Sequence, residues 1–178
     1  MRKITRVALA LAGSVALVGV TVVPAFAGTT DDTSVTVAVP AGVLSITVPA
    51  TATLSTGVPG ANSTVTLGTT KVTDSRADIA DWTATVSLPA LEGDTVGSTE
   101  TIPTVGATYL AGTATETGMS TLAAPTTKTD LSTAPQISQA ATLVMGNNSA
   151  SWTATLTVPI PPDVLADTYS GTMTQSVS

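Results

Sequence analysis

Two stretches of the chain are near copies of each other. Residues 82–89 read Trp-Thr-Ala-Thr-Val-Ser-Leu-Pro, and residues 152–159 read Trp-Thr-Ala-Thr-Leu-Thr-Val-Pro. They contain the only two tryptophans of the sequence. Both alternate apolar and polar residues with a period of two, which is the pattern of a β-strand with one buried face. The pattern predicts two equivalent strands of an all-β core, with Trp82 and Trp152 buried in it.

Further short strands are predicted on both sides of these copies. Apolar alternation and the prolines, glycines and asparagines that interrupt it place them at residues 33–39, 43–48, 64–73, 99–110, 137–145 and 168–177. No segment shows a helical period with caps. Strands of this length and spacing predict a single immunoglobulin-like or Greek-key β-sandwich. Residues 111–135 are rich in Gly, Thr, Ala and Pro and are predicted to form a long loop or insertion.

The second tryptophan follows a turn-like sequence. Gly146-Asn147-Asn148-Ser149 stands between the apolar residues 137–145 and the second copy. Such residues favour tight turns. The sequence therefore predicts a β-hairpin between these two segments.

The first 27 residues have the features of a secretory signal peptide. A basic start is followed by an uncharged apolar run over residues 7–23, and then by Ala25-Phe26-Ala27. These features predict cleavage between Ala27 and Gly28. The expected domains are therefore a signal peptide at 1–27 and one β-sandwich at 28–178. The mature chain is expected to have no membrane span and to be secreted, either extracellular or associated with the cell wall.

Charge and composition exclude several classes of function. After residue 27 the chain has three basic and 12 acidic residues, a net charge of −9. This argues against binding to nucleic acid or to anionic lipid, because both need a basic surface. The sequence has no cysteine, so it can form no disulfide and carry no lipid on a cysteine.

Few residues suited to catalysis are present. The sequence has no histidine and no cysteine, which removes the commonest general base and the thiol nucleophile. Neither Lys71 nor Lys128 stands in a Ser-x-x-Lys motif. We therefore expect a protein that is not an enzyme and needs no cofactor. A hydrolase that uses two carboxylates is the remaining catalytic alternative.

One acidic group is a weak candidate for a metal site. Asp74, Asp78 and Asp81 lie close together before the first tryptophan, and carboxylate oxygens are ligands that Ca²⁺ prefers. The alternative is a solvated acidic turn in which Arg76 pairs with one carboxylate.

The sequence contains candidates for two other kinds of site. Tyr109 is the best candidate for an exposed aromatic ring that could stack on a sugar, and a tyrosine packed at a sheet edge is the alternative. A Lys–Asn isopeptide crosslink would draw on two lysines and three asparagines: Lys71, Lys128, Asn62, Asn147 and Asn148.

Several motifs resemble those of the WxL-like domains found in surface proteins of Gram-positive bacteria, closest to the actinobacterial type. In the first half these are Val72-Thr73-Asp74-Ser75-Arg76 and Asp81-Trp82-Thr83-Ala84. In the second half they are residues 146–152, which include Asn147, Asn148 and Trp152, and the ending that starts at Tyr169-Ser170-Gly171. The resemblance covers residues 64–178. It implies an exported β-sandwich that associates non-covalently with the cell wall.

The chain departs from the family at the motif that names it. The last strand of the family carries Trp-x-Leu, whereas this chain has Gln175-Ser176-Val177. The resemblance as a whole implies a structural or interaction subunit at the cell surface, with peptidoglycan or other surface proteins as partners. The alternative is a freely secreted module that binds a glycan or a protein.

Overall fold

A computed structural model describes residues 32–95, 99–132 and 134–178. The described chain is all-β and antiparallel, with no helix, and is consistent with a β-sandwich. Residues from Ala38 onward form one compact unit. The signal peptide and its Ala27–Gly28 cleavage site lie outside the described residues.

Within the described residues, thirteen strands make three sheets. The first sheet contains β1 (Leu44–Thr47), β3 (Thr70–Asp74), β4 (Trp82–Ser87), β8 (Thr115–Leu122), β10 (Gln136–Trp152) and β13 (Thr174–Val177). The second contains β2 (Asn62–Thr66), β7 (Thr108–Ala111), β9 (Thr127–Thr129) and β11 (Ala154–Pro159). The small third sheet contains β5 (Leu91–Gly93), β6 (Thr101–Ile102) and β12 (Tyr169–Ser170).

The long strand β10 organises the first sheet. Its first part pairs with β4, where Ala141 lies opposite Trp82. Its last part pairs with β3, where Asn148 lies opposite Asp74. β8 runs along the other edge of β10. β10 therefore brings the end of β3 and the start of β4 to one strand.

The core lies between the inner faces of the two larger sheets. From the first sheet it takes Val72, Trp82, Ala84, Val86 and Trp152, and from the second Tyr109, Ala111, Ala154, Leu156 and Val158. Trp82 is 1% exposed and Trp152 is 3% exposed, which confirms that both tryptophans are core residues. Burial of large aromatic side chains is a major source of stability in a core of this size.

The two near copies are not equivalent strands. The first forms β4 within one sheet, whereas the second is divided at Thr153. Trp152 ends β10 in the first sheet, and Ala154 begins β11 in the second sheet. The chain therefore crosses between the sheets inside the second copy, and the alternation of inward side chains survives the crossing.

The predicted hairpin at Gly146–Ser149 is wrong. β10 continues through these residues, and β11 pairs with β2 and β7 instead. The turn-like residues produce irregularities in the strand: the register against β8 shifts twice between Thr142 and Ser149, and Gly146 has a φ of 70°. Such bulges bend a strand without ending it.

Five other predictions for the strands need correction. Residues 33–39 form no strand, although β1 appears where residues 43–48 predict it. Three segments predicted as one strand each contribute to two strands in different sheets: 64–73 to β2 and β3, 99–110 to β6 and β7, and 168–177 to β12 and β13. The segment 111–135 is not a plain loop or insertion, because it contains β8 and β9, each paired in a sheet. Most side chains of β8 are exposed, so its sequence lacks the apolar alternation by which a strand is predicted.

Candidate functional site

The buried carboxylate of Asp74 is the centre of one polar network, which also contains Arg76, Trp82 and Asn148 and is called the Asp74 network below. Asp74 is the last residue of β3, and its side chain is 1% exposed. Arg76 donates from Nε to Oδ1 across 2.9 Å and from Nη2 to Oδ2 across 2.9 Å. The backbone N–H of Arg76 also donates to Oδ1 across 3.0 Å. This is the bidentate geometry that makes an arginine–carboxylate pair strong.

Asn148 connects this ion pair to the first tryptophan. Its Nδ2 donates to Oδ2 of Asp74 across 3.2 Å and to the backbone oxygen of Gly146 across 3.2 Å. Its Oδ1 accepts a 2.9 Å hydrogen bond from the indole Nε1 of Trp82. Both ends of the Asn148 amide are therefore used inside the core, and Trp82 gains the partner that a buried indole N–H requires.

The loop between β3 and β4 closes the network from outside. Arg76 Nη2 also donates to the backbone oxygens of Ala80, across 2.8 Å, and Asp81, across 3.3 Å. The loop is joined to β10 by a 2.8 Å bond from the N–H of Gly146 to the oxygen of Asp78. The guanidinium thus ties together the loop that carries it, and the loop covers the bend in β10.

The charges of the pair stabilise each other. Hydrogen bonds from Arg76 hold the pKa of Asp74 below its ordinary value, against the smaller opposing effect of burial. The same contact raises the pKa of Arg76. Asp74 is therefore ionised at neutral pH and is not poised to exchange a proton, as a general acid or base must be.

The structure does not bring the three aspartates together as a calcium site. Asp74 is engaged by Arg76 and Asn148, while Oδ1 of Asp78 accepts the N–H of Ala80 across 3.0 Å. Asp81 contributes its backbone oxygen to Arg76. Over the described ranges, no group of three or more acidic side chains is arranged to hold a metal ion. The geometry matches the alternative, in which Arg76 pairs with one carboxylate of the turn.

A second polar network lies at the other end of β3 and contains Thr70, Tyr109, Trp152 and Gln175; it is called the Tyr109 network below. Nε1 of Trp152 donates to the hydroxyl of Tyr109 across 3.0 Å. Oε1 of Gln175 accepts from the Thr70 hydroxyl across 3.3 Å and from the Tyr109 hydroxyl across 3.5 Å. Each tryptophan therefore has its own buried or half-buried polar partners.

Tyr109 is not an exposed platform. It lies on β7, between β11 and β9, with 0% of its surface exposed. Burial raises the pKa of its hydroxyl. Sequence reasoning missed its link to Trp152 because the two residues lie in different sheets, and no local pattern reports a contact between sheets.

Gln175 faces the core from the last strand. It is half-buried on β13. Val177 is also half-buried and packs against the core. In this chain both Gln175 and Val177 face the interior of the sandwich.

The remaining residues of the motifs that resemble the WxL-like family lie outside both networks. Asn147 is exposed and does not join either network. Tyr169 donates its hydroxyl to the oxygen of Leu165 across 2.9 Å, and it pairs with Gly93 in the third sheet. Gly171 leaves room for a neighbour, since a Cβ there would lie 2.8 Å from Cδ2 of Leu91. These residues shape the end of the chain.

Lys71 and Asn148 do not face each other, as the partners of an isopeptide crosslink would have to. Lys71 is exposed on β3, between the inward residues Thr70 and Val72, whereas Asn148 is buried on the inner face. The amide of Asn148 is also fully occupied by its hydrogen bonds to Asp74, Gly146 and Trp82.

Taken together, the two networks can stabilise and specify the fold. In the described part of the chain, every buried side-chain nitrogen and oxygen has a hydrogen-bond partner. A fully satisfied buried network rigidifies a core and favours one arrangement of its strands.

The four described aromatic side chains are buried or half-buried, so none offers a fully exposed ring to a sugar: Trp82, Tyr109, Trp152 and Tyr169.

Comparisons with protein-family models, with curated proteins and with solved structures give no match for this chain. A search of the described residues for a helix long and apolar enough to cross a membrane finds none.

Proposed function

We propose that this chain is a secreted, non-catalytic β-sandwich of the WxL-like type, acting at the cell surface as a structural or interaction subunit. In this proposal it is held non-covalently at the cell wall or in a surface complex. The signal-peptide pattern of residues 1–27 provides the route of export.

The observation that carries the proposal is the Asp74 network. Its four residues belong to the motifs that resemble the WxL-like family. These motifs lie in two separate parts of the sequence, and 66 positions separate Trp82 from Asn148. All four meet in one buried hydrogen-bonded group. Residues that build a single structural unit have a physical reason to occur together, which supports reading the motifs as one domain.

The same geometry favours a structural role over catalysis. The ionised Asp74 is locked by Arg76, and its low pKa suits a permanent ion pair. A hydrolase of the two-carboxylate type needs one carboxyl group with a raised pKa that can donate a proton. The hydrogen bonds that Asp74 and Asp167 accept instead lower the pKa of each of these two carboxyl groups.

A partner that is a protein fits the surface better than a glycan does. Stacking on sugars uses exposed aromatic rings, and the described chain presents none that is fully exposed. By contrast, several edge strands have a single neighbouring strand within the described residues, and such edges can pair with another chain. The second candidate function is therefore a freely secreted module that binds a protein.

Cell fractionation separates the two candidates. The protein is expressed in a Gram-positive host, and the culture supernatant, the salt-washed wall and a pull-down with purified peptidoglycan are compared. We expect the protein in the wall fraction, released by denaturant without cleavage. Protein found only in the supernatant, and not retained by peptidoglycan or by washed cells, would contradict the surface-bound proposal and leave the freely secreted module.

A further inference from the structure

Residues 33–39 have a strand-like sequence but form no strand. They read Thr-Ser-Val-Thr-Val-Ala-Val, and the three valines share one phase of the alternation. Val35, Val37 and Val39 are 88%, 87% and 76% exposed. β-branched residues in strict alternation favour a strand with one apolar face covered.

β8 offers an edge of matching length. Within the described residues, this eight-residue strand pairs with β10 alone, so the backbone groups of its other edge have no strand beside them. Free edges of this kind are templates for strand addition.

One part of the outer face of the sheet beside this edge is apolar. Met119 of β8 lies opposite Met145 of β10, and these side chains are 63% and 58% exposed. Leu143, two residues before Met145, is 76% exposed. Three large apolar side chains therefore lie uncovered next to a free strand edge. We call them the Met119 face.

We propose that residues 33–39 of one copy add as a strand to β8 of a second copy, with their valines lying on the Met119 face. The seven-residue segment matches the eight-residue edge. Its apolar phase would place the valines on the side of the sheet that carries the Met119 face. Residues 33–43 carry no charge, so the added strand brings no repulsion of its own to a strongly acidic protein.

The β8 edge of the same chain lies too far away to be the partner. The N–H of Gly42 is bonded to the oxygen of Ser75 across 2.9 Å, which holds Gly42 beside β3. β3 and β8 flank β10 on opposite sides, because Ala150 pairs with Val72 and with Glu116. A strand beyond β8 lies about 14 Å from β3 across the sheet. The three-residue step from Val39 to Gly42 spans at most about 11 Å, which is too short to place Val39 beside β8 of its own chain.

Cysteine crosslinking tests this pairing directly, because the protein contains no cysteine of its own. One preparation carries Val35→Cys, Val37→Cys or Val39→Cys, and the other carries Met119→Cys. The two are mixed under mild oxidation. Side chains on the same face of neighbouring strands lie within disulfide distance. We expect at least one valine position to form a crosslinked heterodimer with Met119→Cys.

Two controls use the opposite faces of the same strands. Thr36→Cys has the other phase of the segment, and Ser120→Cys has the other phase of β8. Crosslinking of Thr36→Cys to Met119→Cys, or of Val37→Cys to Ser120→Cys, at the rate of the best valine pair would indicate random collision and overturn the proposal.

Sedimentation of the cysteine-free protein provides a second measurement. We expect dimers or longer assemblies that increase with concentration, and at least a tenfold weaker association for the variant V35T/V37T/V39T. A monomer at all concentrations up to the millimolar range would overturn the proposal. So would a double variant V37C/M119C that closes its disulfide within one chain. Neither result depends on whether the protein binds a cell wall, so this proposal and the proposed function can fail separately.

Discussion

Trp82 donates its indole N–H to Oδ1 of Asn148 across 2.9 Å, inside the core and between residues 66 positions apart. The bond fixes the start of β4 against the last part of β10. It also stabilises Asn148 in a strand, although the local sequence around this residue favours a turn.

Replacing Asn148 with alanine is expected to destabilise the protein by about 2–4 kcal/mol, because the Trp82 indole loses its partner and Asp74 loses one donor. Urea unfolding followed by tryptophan fluorescence measures the change. The matched control is Asn147→Ala at the exposed neighbouring position, for which we expect a change within about 0.5 kcal/mol. Equal effects of the two substitutions would contradict the role of the Asp74 network.

Acid is expected to weaken the protein through Asp74. Its pKa is lower in the folded state than the ordinary value of 3.8. The unfolded chain therefore binds more protons between these two values, and stability falls as the pH falls through them. The contribution is fully present above the unfolded pKa.

Thermal melts between pH 2 and pH 7 test this contribution in the wild type and in Asp74→Asn. We expect the variant to be less stable at pH 7 and to lose less stability in acid, so that the two curves approach each other near pH 2. Parallel curves over the whole range would show that another group causes the acid sensitivity.

The hydroxyl of Tyr109 is expected to be coupled energetically to Trp152. Tyr109→Phe removes the acceptor of the indole N–H, at an expected cost of about 1–3 kcal/mol. The substitution Trp152→Phe should then cost less in the Tyr109→Phe background than in the wild type. A double-mutant cycle measures the difference, which we expect to be about 0.5–2 kcal/mol. Strictly additive costs would contradict the hydrogen bond between them.

Alkaline conditions should also act through Tyr109. Burial raises its pKa above the ordinary value of 10.0. The folded state then retains a proton that the unfolded chain releases, so stability is full below about pH 10 and declines as the pH rises further. Tyr109→Phe should show a smaller decline than the wild type between pH 9 and pH 12. Thermal melts over this range check the expectation, and identical declines would exclude Tyr109 as a cause.

Two glycines with positive φ should respond differently to alanine. At Gly118, with a φ of 85°, a Cβ would meet the backbone oxygen of Asn147 and approach Cα of Asn148 to 2.9 Å. At Gly146, with a φ of 70°, a Cβ would meet nothing within 4 Å. We expect Gly146→Ala to cost about 1 kcal/mol from backbone strain alone, and Gly118→Ala to cost about twice as much or more. Chemical unfolding of both variants provides the comparison.

The class of fold and the inward faces of individual strands follow from the amino-acid sequence alone. The alternation in residues 82–88 predicts the buried side of β4, including Trp82, because side-chain direction along a strand depends only on a period of two. The same rule predicts β1 and the buried residues of β11. Net charge and the absence of cysteine and histidine likewise follow from composition alone.

Which strands are neighbours, and which polar groups meet, depends on the packing of the whole chain. Gly146–Ser149 has the local chemistry of a turn, yet β10 runs through it, since Asn148 finds Trp82 and Asp74 at distant positions in the sequence. The position of Tyr109 beside Trp152 and Gln175 depends on the packing of two sheets. A local pattern reports how a segment alternates, whereas hydrogen bonds between distant segments depend on how the whole chain packs.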